Sequence, residues 1–360
     1  MELNAIGIDL GKTLFHLVGL DASGHVVVRK RCSRAQLLKY TANLRVQRIG
    51  MEACSGSHFL GRALREQGHD ARLMPAQYVK PYVKTNKSDS IDAEAIAEAV
   101  QRPTMRFVPI KTEEQLDLQA VHRLRERWVM RRTAVVNQIR GLLLERGVTL
   151  PKGRSHVDEA LPEILQDADL KLSGSFRLLL AELQLELEQL AEHIQQMDSA
   201  IQHTVKENEA CQRLTTIPGV GPVTATALIA AIGNGSGFRK GRDLAAWVGM
   251  VPREYSTGGK QKLLGISKRG NNYLRTLFVP GARAVMRYRA KQAPGLNHWL
   301  TQLLARTHQN VVIVALANKL IRMAWAVLCK NEVYRAPALV ASISATNERI
   351  MIPPSLLAEQ

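Results

Sequence analysis

The chain has 360 residues, 49 Lys and Arg against 32 Asp and Glu, and a formal net charge of +17. Hydrophobic residues make up 46%, enough for packed cores and too many for a disordered basic tail. The length points to two or three domains. Cys32, Cys54, Cys211 and Cys329 form no CxxC pair, which argues against a disulfide framework or a cysteine zinc site. No charged-then-apolar leader is read, and no apolar run is read as reaching the ~18 residues of a membrane span. The expected setting is therefore cytoplasmic, with no membrane, and the positive excess points to a polyanion, most often nucleic acid. The charge is uneven: residues 1–110 carry a net +6, 111–155 a net +5, 156–210 a net −9, and 211–360 a net +15.

In chain order, Asn4–Leu10 reads as a strand ending near Asp9. Phe15–Leu20 and Val26–Arg29 read as a hairpin around the turn residues Asp21–Gly24. A helix over Gln36–Leu44, a strand over Arg48–Glu52, a helix through Gln67 and a strand over Ala71–Met74 follow. Ser88 is placed to cap a helix over Asp89–Val100. Three strands, helix, strand, helix, strand, helix is the order of an RNase H-like mixed sheet. That sheet sets the first strand beside the fourth, so Asp9 and Glu52 would meet at strand ends. Asp89 and Asp92 share one helix face at a spacing of three. Four converging carboxylates offer hard oxygen ligands for Mg²⁺, with Mn²⁺ as a substitute. Taken singly, each carboxylate has a plainer reading: an actin-like ATPase opens with a similar GIDLGK, and acidic residues favour a helix N-terminus. Lys80, Lys84 and Lys87, interleaved with Tyr78 and Tyr82, fit a loop that contacts a nucleic-acid backbone or simply faces solvent.

Glu113–Glu145 reads as a basic helix, with Arg123, Arg127 and Arg131 placed either to follow a phosphate backbone or to form a solvated face. In the acidic helix Ser175–Glu209, Phe176, Leu180, Leu183, Leu187, Leu190, Ile194, Met197 and Ile201 form a heptad seam. The seam over 176–201 predicts helix pairing, either within the chain against the basic helix or between protomers of a dimer or tetramer. In LTTIPGVGPVTATALIAAI, Gly219 and Gly221 fit a helix-hairpin-helix turn that admits a phosphate, or a tight turn alone. Ser256 and Thr257 precede Gly258 and Gly259 and are surrounded by Lys260, Lys262, Lys268, Arg269 and Arg275. That stretch fits a phosphate-binding loop or a serine nucleophile. Ser267 reads as a helix cap, and His298 and His308 as structural or surface residues.

GIDLGK, MEACSGSH, LMPAQYVKPYVKTNKSDSIDAEAIAEA, TIPGVGPVTA, WVGMVPREYSTGGK, GISKRGNNYLRTLFVPGARA and VVIVALANKLIRMAW occur in that order. Together they resemble the insertion-sequence 110 family of transposases, nearest its 1111 group. The resemblance implies a RuvC-like domain whose DEDD set matches Asp9, Glu52, Asp89 and Asp92, and a transposase domain whose serine nucleophile matches Ser256. It also implies an RNA-guided recombinase of prokaryotic, nucleoid-associated setting, acting on donor and target DNA with a structured (bridge) RNA encoded by the element. Joint action of the two sites would need the two segments to dock, within one chain or between protomers. The expected organisation is a RuvC-like α/β domain over 1–110, coiled-coil helices over 111–210, a mainly helical transposase domain over 211–335 and a tail over 336–360. Two other readings stay open: a metal-dependent junction-resolving endonuclease without serine chemistry, and a non-enzymatic nucleic-acid-binding protein.

Overall fold

The computed structural model describes residues 3–84 and 88–336. Lys87 and the tail beyond Ala336 lie outside the described residues. The chain divides into two compact units, Met1–Glu114 and Gln115–Gln360.

In the first unit, β1 (Leu3–Leu10), β2 (Leu14–Leu20) and β3 (Val26–Ser33) form an antiparallel meander. Then come α1 (Arg34–Thr41), β4 (Val46–Glu52), α2 (Ser57–Glu66), β5 (Ala71–Met74), a single turn α3 (Ala76–Val79) and α4 (Asp89–Ala99). The sheet order is β3-β2-β1-β4-β5, with β1, β4 and β5 parallel. The element order and the β1–β4 neighbourhood agree with the sequence reading. Alternation along the strands sorts the two faces. Ile6, Ile8, Ile49 and Met51 point to one layer, packed with Leu37 of α1 and Leu60 and Leu64 of α2. Ala5, Gly7 and Asp9 of β1, with Gly50 and Glu52 of β4, belong to the other face, which α4 covers. This face is built for close approach. A Cβ on Gly7 would lie 2.0 Å from the Ala93 carbonyl oxygen and 2.4 Å from the Ala97 nitrogen. Glycine on the strand and alanines four apart on the helix let two backbones touch.

In the second unit, α5 (Glu113–Leu144), α6 (Arg154–Gln166) and α7 (Gly174–Glu207) share one core. The heptad seam is filled within the chain. Phe176, Leu180, Leu187 and Leu190 pack with Val135, Val136, Ile139 and Leu143 of α5 and with Val157, Leu161 and Ile164 of α6. Arg125–Asp198 at 2.6 Å, Arg131–Glu186 at 2.7 Å and stacking of Trp128 on His193 join the basic helix to the acidic one. Of the two pairings expected of the 176–201 seam, the structure fills the one within the chain, against the basic helix and α6.

The remaining helices are α8 (Glu209–Thr215), α9 (Pro222–Ile232), α10 (Gly241–Val248), α11 (Asn272–Arg287), α12 (Pro294–Leu304) and α13 (Gln309–Lys330); a two-stranded ribbon of β6 (Pro252–Glu254) and β7 (Leu263–Ile266) precedes α11. Contrary to the sequence reading, α13 is long and apolar enough to cross a membrane, with a mean hydropathy of 1.9. Its apolarity serves a core: Val312, Leu316, Leu320, Ile321 and Ala324 pack in one cluster with Leu244, Leu274 and Phe278. Asn271, not Ser267, caps α11 by accepting from the Leu274 N–H at 3.0 Å. A buried network joins α5, α9 and α11. His122 lies 3.0 Å from Tyr273 Oη through Nδ1 and 3.0 Å from Thr226 Oγ1 through Nε2. The Thr226 hydroxyl donates to the Pro222 carbonyl at 2.7 Å. It therefore accepts from Nε2–H, which leaves Nδ1 to accept from Tyr273. Burial lowers the His122 pKa to about 4 and raises that of Tyr273 to about 12.

Candidate active-site residues

Asp9 and Glu52 follow directly on the last paired residues of the parallel β1–β4 ladder, Ile8 and Met51, so the two carboxylates stand side by side on the α4 face. The Gly7–Ala93 contact sets α4 against that face. Arg29 of β3 pins its first turns, donating to Ser90 Oγ at 2.8 Å and to Glu94 at 2.7 Å. Asp89 and Asp92, in the first turn of α4, thereby face Asp9. The electrostatics register the grouping. Burial first, then the charges of Asp92 and Asp89, raise the Asp9 pKa; burial, then Asp9 and Asp92, raise that of Glu52. His16 was not anticipated. It sits opposite Asp9 in the β1–β2 register, and its Nδ1 lies 3.5 Å from Asp89 Oδ2. Among the described residues, no three His, Cys, Asp or Glu side chains converge closely enough to hold an ion as they stand. The donor set is nevertheless all carboxylate oxygen on one face, and its own charges repel, which suits a hard divalent cation.

Ser256 lies on the exposed ribbon formed by β6 and β7. The Thr257 and Lys260 backbones exchange hydrogen bonds around Gly258 and Gly259, whose φ values are 56° and 76°. Two consecutive left-handed residues are what a tight hairpin turn needs, and glycine takes that conformation without strain. The Ser256 hydroxyl donates to Glu254 Oε1 at 2.6 Å, and Gln261 Nε2 donates to the same oxygen at 3.3 Å. Sequence reasoning passed over Glu254, although alternate residues on a strand share a face.

Comparison with known proteins matches two family models to these two regions. Residues 6–146 match the IS110 DEDD transposase model, and residues 211–295 the model described as the transposase IS116/IS110/IS902 family. A probable family 20 transposase of Pseudomonas aeruginosa is 45% identical over 336 residues, covering 93% of this chain and 99% of its own length. The transposase for insertion sequence element IS1111A of Coxiella burnetii is 42% identical, covering 94% of this chain and 93% of its own. The transposase for IS1328 of Yersinia enterocolitica is 41% identical, covering 92% and 99%. The chain belongs to the IS110 family of transposases.

Several basic candidates of this transposase have structural partners. Lys84 pairs with Glu98 and, at 3.9 Å, with Glu94 of α4. Arg131 pairs with Glu186 on α7. Arg275 donates to the Val248 carbonyl at 2.7 Å and the Arg269 carbonyl at 3.3 Å, so it braces the base of the ribbon. Gly219 is half-buried with a φ of 80°, and its Cα side packs on α11, where an added Cβ would meet the Gly281 carbonyl at 2.7 Å. Gly221 is exposed at the start of α9. Lys80, Arg123, Arg127, Lys260, Lys262, Lys268 and Arg269 are exposed.

Proposed function

We propose that this insertion-sequence transposase cleaves and rejoins DNA through a covalent phosphoserine formed by Ser256. The contact between the Ser256 hydroxyl and Glu254 carries this reading. An exposed serine whose proton already points to a carboxylate, on a ribbon with Lys260 and Lys262, has a proton acceptor beside it and cations to attract a phosphodiester. In the forward step an Oγ–P bond forms as the P–O bond to the departing strand breaks. The Oγ proton passes to Glu254, and the departing oxygen leaves as a hydroxyl by taking a proton from water. In the reverse step the hydroxyl of the incoming strand attacks the phosphoserine, so no nucleotide hydrolysis is needed. Thr257 is the weaker candidate because its backbone closes the turn and its hydroxyl has no described partner.

The first unit reads as a RuvC-like domain. Its β3-β2-β1-β4-β5 order, with the carboxylates at the ends of β1 and β4 and on the covering helix, supports that reading. Asp9, Glu52, Asp89 and Asp92 would hold Mg²⁺, or Mn²⁺ in its place. Such an ion, when bound, supplies Lewis-acid stabilisation of phosphodiester charge. His16 orients Asp89 at the rim of this group. Guidance by an element-encoded structured RNA that pairs with donor and target DNA follows from the family resemblance, and the +17 charge is compatible with two polyanionic partners.

The test is denaturing electrophoresis of labelled DNA after incubation with the transposase, its RNA and Mg²⁺. A protein-linked band that is alkali-sensitive and absent in Ser256→Ala supports the reading. Cleavage without any linked band in the wild type returns the function to metal-dependent strand cleavage alone, and an unchanged band in Ser256→Ala places the covalent link on another residue and overturns the assignment to Ser256.

A further inference from the structure

We infer that the cleft between the end of α11 and the start of α13 is a binding site for a single nucleic-acid strand. The cleft has a volume of about 520 Å³. Its walls are Arg283, Arg287 and Arg289, its rim carries the amides of Gln309 and Asn310, and its floor is the apolar pair Met286 and Ile313. Elsewhere in the chain, arginines such as Arg29, Arg62, Arg125 and Arg213 face a carboxylate. Among the described residues, no ion pair involves Arg283, Arg287 or Arg289, and no acidic residue lines the cleft. Arg283 and Arg287 are four apart on one helix, so they repel each other within the free protein. Three unneutralised guanidinium groups around one cavity call for an external anion, and the bidentate geometry of arginine matches a phosphate.

A second feature narrows the anion to a polynucleotide. Tyr288, between two of these arginines in sequence, is 52% exposed. Cations flank it, with Arg287 and Lys291 each 5.8 Å from its ring centroid. An exposed aromatic ring among phosphate-binding cations is the combination by which single strands are held, phosphates on the cations and a base on the ring. None of these residues belongs to the ribbon that carries Ser256. DNA and RNA share this chemistry, so the class is a phosphodiester strand with an unpaired base.

The experiment measures binding of the full chain, without strand cleavage, so its failure and that of the serine reading are separable. The probes are fluorescein-labelled 20-mers of dT and of rU, followed by anisotropy over a range of salt. Replacing Arg283, Arg287 and Arg289 together by Ala should weaken binding by about tenfold or more. It should also reduce the slope of log affinity against log salt by about 2, since each phosphate contact on a single strand contributes ~0.7. Loss on both probes supports a site indifferent to the sugar; loss on one assigns it to that strand. The Lys triple variant should recover most of the slope. Unchanged affinity and slope on both probes, in an Ala variant that melts like the wild type, overturns the inference. Photocrosslinking of wild-type protein to 5-iodouracil 20-mers gives an answer without any variant. Adducts within residues 283–291 or 309–313 support the site, and adducts only outside both stretches overturn it.

Discussion

The carboxylate group and the serine ribbon are built by opposite means. Asp9, Glu52, Asp89 and Asp92 come from three elements up to 83 positions apart, and only tertiary packing assembles them: parallel pairing of β1 with β4, and α4 seated on Gly7. Ser256 and Glu254 are two residues apart, and a glycine turn and a short ladder suffice to bring them together. The first site stores charge repulsion in a partly buried place; the second is exposed and held locally. Damage to the first should therefore register in stability as well as activity, whereas damage to the second should register in activity alone.

The largest effect expected is on the ribbon. Glu254→Gln keeps the size of the side chain but loses its proton-accepting capacity. It should reduce covalent adduct formation by roughly 10²-fold or more, with the melting temperature unchanged. A Glu254→Gln protein with wild-type rates would leave Ser256 without its proposed acceptor.

Next is the seat of α4. Gly7→Ala forces a methyl group onto the Ala93 carbonyl and should destabilise the first unit by about 3 kcal/mol, read as a lower melting temperature and lost exchange protection in β1 and α4. Gly141→Ala is the control: nothing lies within 4 Å of an added Cβ on α5, and the change should stabilise that helix by about 1 kcal/mol. Equal outcomes for the two would show that β1 and α4 are not in close contact.

The same contrast explains what the sequence disclosed. Strands with alternating apolar residues and a DxxD on a helix are local signals, so the carboxylates and their frame were legible. Gly7 was not, because the need for glycine there comes from a helix 86 residues later in the chain. Gly219 carries a demand that its local pattern did not disclose: beside the positive φ of the turn, its close approach to Gly281 of α11 also requires glycine. The heptad seam revealed its stripe but not its partner, since apolar periodicity is the same whichever helix covers it. The His122–Thr226–Tyr273 network, spanning 104 and 151 positions, leaves no local pattern at all.

That network sets an acid limit on the second unit. His122 titrates near 4 when folded and near 6.5 as a free side chain. Between these values the unfolded chain binds the proton that the folded chain refuses, so stability falls as pH drops through the window. The loss is on the order of 3 kcal/mol, complete below pH 4 and absent above about 6.5. His58, also lowered to about 4 by burial and by Lys111 and Arg62, adds a smaller and better-solvated contribution in the first unit. Urea melts at pH 7 and pH 5 should show the drop. In His122→Gln it should shrink for the second unit, although the starting stability is lower. A wild-type melt independent of pH over this range would mean that His122 is solvated.

The smallest effect has a sign opposite to that expected of a damaging mutation. Asp9 and Glu52 have raised pKa values in the folded protein, by burial and by their acidic neighbours. A carboxyl group that holds its proton more tightly when folded stabilises the fold at low pH, and that contribution disappears as pH rises through the folded pKa. At neutral pH both groups are therefore a net burden on the first unit. Asp9→Asn removes one repelling charge and keeps the shape, so it should raise the melting temperature slightly while abolishing strand cleavage. Mg²⁺ or Mn²⁺ relieves the same repulsion from outside, so millimolar cation should raise the melting temperature of the wild type and have less effect on Asp9→Asn. A single pair of melts, with and without cation, thus tests the site as a charge cluster independently of catalysis. If Asp9→Asn lowers the melting temperature, or if both proteins respond equally to the cation, the four carboxylates do not act as one group.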